Sequence, residues 1–184
     1  MPVYISILRG INVGGHKLIK MDALRSMYGQ LDFTNIKTYI QSGNVIFQSP
    51  ELPLADLAET ISGRIKITFG FEVPVLVIEK TELENILRNN PFITDQKEDI
   101  NSLHVTFLSE TPDLEKVAQI ATGDYGADQL ITVGRAVYLF CPGAYHATKL
   151  SNTFFEKKLQ LTATTRNWKT VCELAKMAAE SEVG

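Results

Sequence analysis

The segment VYISILRGINVGGHK, residues 3–17, joins a strand pattern to a glycine loop. Its apolar run, Val3–Leu8, is typical of a buried strand. The loop that follows holds three glycines, two cations and one asparagine, and an amphipathic helix begins near Met21. Glycine lets the backbone take positive φ or approach another group closely. A glycine turn ahead of a helix N-terminus therefore predicts backbone N–H groups that point at one anion-binding spot.

Outward from this loop, the first half of the chain predicts the order β-α-β-β-α-β. After the first helix come two β-rich runs, Ile36–Ile40 and Val45–Gln48, which Gln41-Ser42-Gly43-Asn44 joins as a hairpin. A second amphipathic helix begins at Leu54, and Val73–Ile78 completes the order as a strand. This order is the split βαβ, or ferredoxin-like, arrangement.

The same order recurs in the second half. It begins with the strand Leu103–Leu108 and a helix opened by Thr111-Pro112. A hairpin around Gly134-Arg135 then joins the strands Leu130–Val133 and Ala136–Cys141. The helix Ser151–Lys158 and the short edge strand Leu161–Thr164 complete the order. A final helix runs from Trp168 to about Glu180. The predicted fold is α+β, a duplication of two ferredoxin-like (βαββαβ, α-β plait) subdomains plus this C-terminal helix.

Three ranges divide the chain in this interpretation. Residues 1–80 form the first subdomain with the glycine loop, and residues 102–184 form the second subdomain with the C-terminal helix. Between them lies a helical connector, 81–101. Its helix starts with the capping box Thr81-Glu82-Leu83-Glu84 and ends at Asn89-Asn90-Pro91, and the polar linker Thr94–Asn101 follows.

The predicted topology brings the glycine loop next to the first hairpin. The first two strands are parallel in a ferredoxin-like unit, so both end at the same edge of the sheet. The residues gathered there carry cations, amides, a hydroxyl and glycine backbone, and they form the candidate ligand-binding set: Arg9, Gly10, Asn12, Gly14, Gly15, Lys17, Gln41, Ser42, Gly43 and Asn44. Such a donor-rich set without a carboxylate favours an anionic ligand. Alternatively, Gly43-Asn44 only makes the turn and Asn12 only satisfies loop backbone.

A second constellation, Thr164–Lys169, precedes the final helix. With Thr165 as N-cap, Arg166 falls in the first helical turn, where a cation opposes the helix dipole. A bound anion would compensate for the positive charge of Arg166, so Arg166 and Asn167 join the candidate ligand-binding set. Arg166 is expected in the same cleft as Arg9. Alternatively, Arg166 pairs with a carboxylate and fixes the final helix.

Composition narrows the class of protein. The 184 residues carry a net charge of −3 with 45% hydrophobic residues, as in a globular protein without membrane association, and the chain shows no signal-peptide pattern. Two cysteines in apolar surroundings indicate free thiols in the cytoplasm. The histidines and cysteines have no metal-ligand spacing, and no cofactor motif occurs, so no metal or cofactor is expected.

Three function classes remain open. The first is a protein that binds a phosphate-bearing small molecule or nucleotide at the Arg9 loop and the Gln41–Asn44 hairpin. The second is an enzyme acting on such a ligand, with Lys17, His16 or His146 carrying a proton. The third is a nucleic-acid or protein interaction module using two basic blocks, residues 1–50 at net +3 and residues 145–170 at net +4, which flank an acidic middle. Net acidity disfavours nucleic acid, and the sequence says nothing of oligomeric state.

Three motifs resemble those of one known family. LRGINVGG (8–15), YIQSGNV (39–45) and TTRNW (164–168) are similar to the bacterial family called domain of unknown function 1697, and the resemblance spans Pro2 to about Met177. It implies a two-subdomain α+β fold built from ferredoxin-like units, in a small cytoplasmic protein. It implies no activity.

Overall fold

The chain forms two compact units, each with its own four-stranded sheet. The computed structural model describes residues 1–93 and 99–182. Unit 1 comprises Met1–Glu84 with Glu173–Gly184, and unit 2 comprises Asn85–Cys172. The connector predicted at 81–101 is thus divided between the two units after Glu84, and the end of the final helix belongs to unit 1.

Unit 1 carries the glycine loop on an antiparallel sheet with the order β2-β3-β1-β4. Its elements, in chain order, are β1 (Val3–Leu8), α1 (Met21–Gly29), β2 (Thr34–Tyr39), β3 (Asn44–Gln48), α2 (Leu54–Phe69) and β4 (Val75–Glu79). Two further helices, α3 (Lys80–Arg88) and α6 (Trp168–Glu182), each cross the border between the two ranges.

The core of unit 1 fixes the start of the glycine loop. Leu8 before the loop and Ile11 within it are each no more than 1% exposed and pack in the same apolar cluster as Phe47. Phe33 stacks on Phe47 with ring centroids 4.5 Å apart. Burying side chains of this size stabilises the fold by about 1.5–3 kcal/mol each, so the loop starts from a rigid base.

Unit 2 has an antiparallel sheet with the order β6-β7-β5-β8. Its elements are β5 (Leu103–Leu108), α4 (Leu114–Ala121), β6 (Gln129–Val133), β7 (Ala136–Phe140), α5 (Asn152–Leu159) and β8 (Ala163–Asn167), with 3₁₀ turns at Ile100–Ser102 and Tyr145–Ala147. Its core joins one face of the sheet to α4 and α5 through Leu108, Ile120, Val137, Phe155 and Leu159.

The prediction of a mixed α+β chain with two four-stranded antiparallel sheets is confirmed. The described residues hold six α-helices. Val3–Leu8 and Leu103–Leu108 have the predicted bounds, because unbroken apolar runs leave little freedom in placing a buried strand. Within the described ranges, no helix is both long and apolar enough to cross a membrane.

Two predicted helix starts are wrong. Thr81 is not an N-cap, because α3 begins at Lys80 directly after β4 and Thr81 lies inside its first turn. Thr111 does not cap α4 either; the Asp113 carboxylate accepts from the backbone N–H groups of Glu115 and Lys116. Of the predicted linker Thr94–Asn101, residues 94–98 lie outside the described residues, and Ile100–Asn101 belongs to a 3₁₀ turn.

Candidate functional site

The glycine loop leaves β1 beside the β2–β3 hairpin. Ile7 of β1 pairs with Asn44 of β3, and Asn44 in turn pairs with Tyr39 at the end of β2. The backbone N–H of Leu8 donates to the Gly43 carbonyl at 2.9 Å. Because β1 and β2 both pair antiparallel with β3, they run in the same direction and end at the same edge of the sheet. The loop and the hairpin therefore adjoin at that edge.

Asn12 fastens the loop to the hairpin. Its Nδ2 donates to the Gln41 carbonyl at 2.8 Å and to the Ile19 carbonyl at 3.0 Å. Its Oδ1 accepts from the Ile19 backbone N–H at 2.8 Å. One amide side chain thus holds together the start of the loop, its end and the neighbouring hairpin. Asn12 is therefore a scaffold residue, as in the alternative interpretation in which it satisfies loop backbone.

Gly14 and Gly15 form the tip of a small antiparallel hairpin inside the loop. Their φ angles are +59° and +76°, the two positive values of a type I′ turn. Val13 and His16 form a bridge across the turn, closed by a 3.0 Å bond from the His16 N–H to the Val13 carbonyl. Both glycines are exposed and lie several residues before α1 begins. They shape a projecting tip, and α1 starts after Lys20 without a side-chain cap.

Left-handed backbone is concentrated at this edge. Seven residues of the loop and the hairpin have positive φ, against six in the rest of the described chain. Those seven are Gly10, Asn12, Gly14, Gly15, Lys17, Ile40 and Gly43. Ile40 is notable, because a β-branched residue at φ +50° is a conformational outlier. Strained backbone of this kind collects at ligand-binding and catalytic sites.

Gly43 and Asn44 hold the hairpin against the loop. A Cβ on Gly43 would lie 2.6 Å from Ile11 Cδ1 and 2.9 Å from Leu8 Cβ, so only glycine fits. Asn44 is fully buried, and its Nδ2 donates to the Tyr39 carbonyl at 2.9 Å and to Ser42 Oγ at 3.1 Å. Asn44 is therefore a scaffold residue as well.

Arg9 and Lys17 are the two cations of the loop, and only Lys17 is exposed. Arg9 is half-buried, and its backbone N–H donates to the Pro74 carbonyl. The Lys17 ammonium donates to the Glu72 carbonyl at 2.6 Å. Neither the loop nor the hairpin contains a carboxylate. The Glu72 carboxylate is paired with Lys66 at 3.0 Å, and Lys66, followed by Lys17, holds the pKa of Glu72 below its usual value.

The second constellation lies in unit 2, and its predicted geometry is wrong. Arg166 is not in a helical turn but in β8, opposite Val105 of β5, and it is 8% exposed. Its Nη1 donates to Thr164 Oγ1 and to the Thr165 carbonyl, both at 3.0 Å. Burial lowers the pKa of the Arg166 guanidinium to about 10. The helix-dipole argument for an anion at Arg166 therefore does not apply.

The physical reason is that the strand continues through Asn167. The β-branched Thr164 and Thr165 suit the ladder with β5, and α6 begins only at Trp168. Asn167 Oδ1 accepts from the Thr170 N–H at 2.8 Å, so Asn167, not Thr165, is the N-cap.

Sequence reasoning missed a buried polar cluster around His104. The His104 ring stacks on Tyr145 with centroids 4.5 Å apart, and its Nδ1 has no hydrogen-bond partner among the described residues. On the same face of the sheet, Thr165 Oγ1 lies 2.7 Å from Thr106 Oγ1 and 2.7 Å from Asn152 Oδ1. The alternation of His104 and Thr106 along β5 was the available signal, since alternate residues of a strand share a face.

No group of three or more His, Cys, Asp or Glu residues in the described part of the chain is arranged to hold a metal ion. His16 lies at the loop tip in unit 1 and His146 in the 3₁₀ turn of unit 2. Their suggested part in proton transfer stays a prediction.

Comparisons with known proteins agree with this architecture. A conserved bacterial protein from Streptococcus pneumoniae has a solved structure that superposes with a TM-score of 0.77 at 24% sequence identity, covering 96% of this chain and 98% of that chain. That likeness shows a shared fold. No curated protein matches the sequence. The family model described as "Protein of unknown function (DUF1697)" matches residues 1–138, which include both the glycine loop and the β2–β3 hairpin. The chain therefore belongs to the DUF1697 family.

Proposed function

We propose that unit 1 binds an anionic ligand, phosphate-bearing or nucleotide-like, at the sheet edge where the Arg9–Lys17 loop meets the Gln41–Asn44 hairpin. The observation that carries the proposal is the clamp made by Asn12, which bonds both to Gln41 and to Ile19. It fixes a loop that has no helix or long strand of its own. A loop held this firmly keeps the donors of its exposed residues in place, and a preorganised site loses less conformational entropy on binding.

The candidate residues of unit 1 fall into three groups. Asn12, Gly43 and Asn44 form the scaffold, since their side chains or their lack of one are used inside the fold. Gly10, Gly14 and Gly15 supply three of the five positive φ angles of the loop. The remaining residues would contact the ligand: Arg9, Lys17, Gln41 and Ser42. Of these, Lys17 would exchange its bond to the Glu72 carbonyl for one to the ligand. Guanidinium and ammonium donors form the strongest hydrogen bonds to phosphate oxygens.

Arg166 and Asn167 are left out of this contact set. Asn167 is used as the cap of α6, and Arg166 is buried in β8 with bonds to Thr164 and Thr165. Nothing in these contacts favours a ligand over a structural role.

We also propose, as the sequence predicts, that the chain is a duplication of a ferredoxin-like unit in a cytoplasmic protein. The repeated β-α-β-β-α-β order and the matching strand orders of the two sheets support the duplication. Two free cysteines support a reducing compartment. Burial raises the pKa of the Cys141 thiol to about 11, which keeps it unreactive.

Titration of the whole chain with inorganic phosphate, pyrophosphate and AMP, followed by amide chemical shifts and calorimetry, tests the binding proposal. Arg9→Gln and Lys17→Gln should each weaken binding by about tenfold or more, because each removes a charge-assisted bond of about 1.5–3 kcal/mol. Amide shifts should concentrate in the loop and the hairpin.

Lys37→Gln is the matched control, because Lys37 is an exposed cation on β2 of the same unit and should leave binding unchanged. Thermal melts of all three variants check that the fold is retained. The proposal is wrong if none of the three probes binds, or if binding is insensitive to both Arg9→Gln and Lys17→Gln.

A further inference from the structure

The outer face of α2 exposes a row of residues that includes a glycine and a large apolar side chain. Glu59, Gly63 and Ile67 follow one another at four-residue spacing and therefore lie along one stripe of the helix. All three are exposed, and Ile67 is 80% exposed. We call this stripe, together with Asp56 and Lys66 beside it, the Gly63 face.

Among the described residues, none packs against Gly63 closely enough to require a glycine there. Gly63 lies in the interior of α2, where glycine makes a helix less stable than alanine does. A Cβ at Gly63 would meet no atom of the described residues within 4 Å. A missing side chain on an exposed helix face does allow a second helix to approach closely.

Two open grooves flank the helix at this point, and both are lined by Glu59 and Gly63. One measures about 420 Å³ and lies on the side of Ser62 and Lys66. The other measures about 560 Å³ and lies on the side of Thr60 and Ile67, with Leu31 in its wall. A helix that crosses at Gly63 can place side chains into both grooves, as helix packing requires.

The charges along α2 identify the occupant. Acidic Asp56 and Glu59 lie before Gly63, whereas basic Arg64 and Lys66 lie after it. A copy of α2 running in the opposite direction presents its basic half to this acidic half, and the reverse contact follows by symmetry. We propose that a second copy of this chain docks on the Gly63 face, with the two α2 helices antiparallel and Gly63 at the two-fold axis.

Helix geometry places the contacts. At 1.5 Å rise per residue, Glu59 lies four residues before the axis and Lys66 lies three residues after it. In the antiparallel pair, Glu59 of one chain and Lys66 of the other are therefore offset by about one residue rise. Ile67 of the second copy falls level with Glu59, beside the groove walled by Leu31. The existing Lys66–Glu72 pair is exposed on both sides, so giving it up costs little.

Sedimentation of the full chain over a range of concentrations tests this proposal. The wild-type chain should show a concentration-dependent dimer. Gly63→Glu should weaken self-association at least tenfold, because two carboxylates then meet at the axis. At concentrations where the wild type is monomeric, its thermal stability should not fall, since a Cβ at this position meets no described atom and the change removes a helix-interior glycine. Ser26→Glu, on the exposed part of α1, is the matched control and should dimerise like the wild type.

A charge exchange makes the test specific to the proposed geometry. Glu59→Lys alone should weaken the dimer, and Glu59→Lys combined with Lys66→Glu should restore it, because the pairs form again between chains. Gly63→Cys should form an intermolecular disulfide on oxidation. Monomeric behaviour at every concentration overturns the proposal, as does a dimer that Gly63→Glu leaves unchanged or that the charge exchange fails to restore.

Discussion

Gly43 and Gly134 are the same residue type in the same kind of hairpin, yet their surroundings differ. Both have positive φ, +88° and +58°. The Gly43 backbone lies against Ile11 and Leu8, whereas a Cβ on Gly134 would meet no described atom within 4 Å. Gly43 is required both by a left-handed turn and by a close contact, whereas Gly134 is required only by a left-handed turn.

Replacing each glycine by alanine separates the two demands. Gly134→Ala should lower the free energy of unfolding by about 1–2 kcal/mol, the cost of a left-handed alanine. Gly43→Ala should cost more, about 2 kcal/mol or above, because overlap with Ile11 and Leu8 is added to that conformational cost. Urea denaturation measures both values. Equal losses would show that Ile11 moves aside freely and that the contact does not hold the loop.

At the scale of elements, α6 shows how a helix start decides the role of its neighbours. If the helix began at Arg166, the guanidinium would oppose the helix dipole. Because β8 continues through Asn167 and α6 begins at Trp168, Arg166 lies outside the helix and this repulsion does not arise. Asn167 then ends the strand and caps the helix through Thr170. The motif TTRNW thus contains the end of β8, the N-cap of α6 at Asn167 and the core residue Trp168, which is 4% exposed.

Asn167→Ala should therefore lower the free energy of unfolding by about 1 kcal/mol, the usual cost of losing an N-cap. Asn167→Asp keeps an acceptor oxygen at the same position and should retain most of that stability. Lys169→Ala, at an exposed position in the first turn of the same helix, serves as control. A stability loss shared by the Asp and Ala variants would contradict the capping role.

At the scale of the whole molecule, strand order could be predicted and side-chain roles could not. Apolar runs and turn residues leave few ways to arrange four strands, so the edge that joins the Arg9 loop to the hairpin follows from topology. Whether a polar residue at this edge bonds within the fold or remains available to a ligand depends on atomic contacts. Asn12 and Asn44 look like ligand donors in the sequence, but their amides bond to backbone carbonyls. The start of α4 was wrong for the same reason, since both Thr111 and Asp113 can serve as its N-cap and only Asp113 does.

The His104 cluster gives the whole chain a predicted dependence of stability on pH. His104 is 8% exposed, and burial lowers its pKa, with a backbone bond at Ser102 opposing the shift. The unfolded chain therefore binds a proton more readily than the folded chain does. The contribution of His104 to stability is complete above the unfolded value of about 6.5 and is lost as pH falls through the folded pKa.

Urea denaturation between about pH 8 and pH 5 should show the free energy of unfolding falling with decreasing pH. His104→Phe removes the titrating ring nitrogens and keeps an aromatic ring against Tyr145, so its stability should depend less steeply on pH over this range. His146→Phe is the control, because His146 is exposed and should leave the steeper dependence in place. If His104→Phe has the same slope as the wild type, protonation of His104 is not what couples folding to pH.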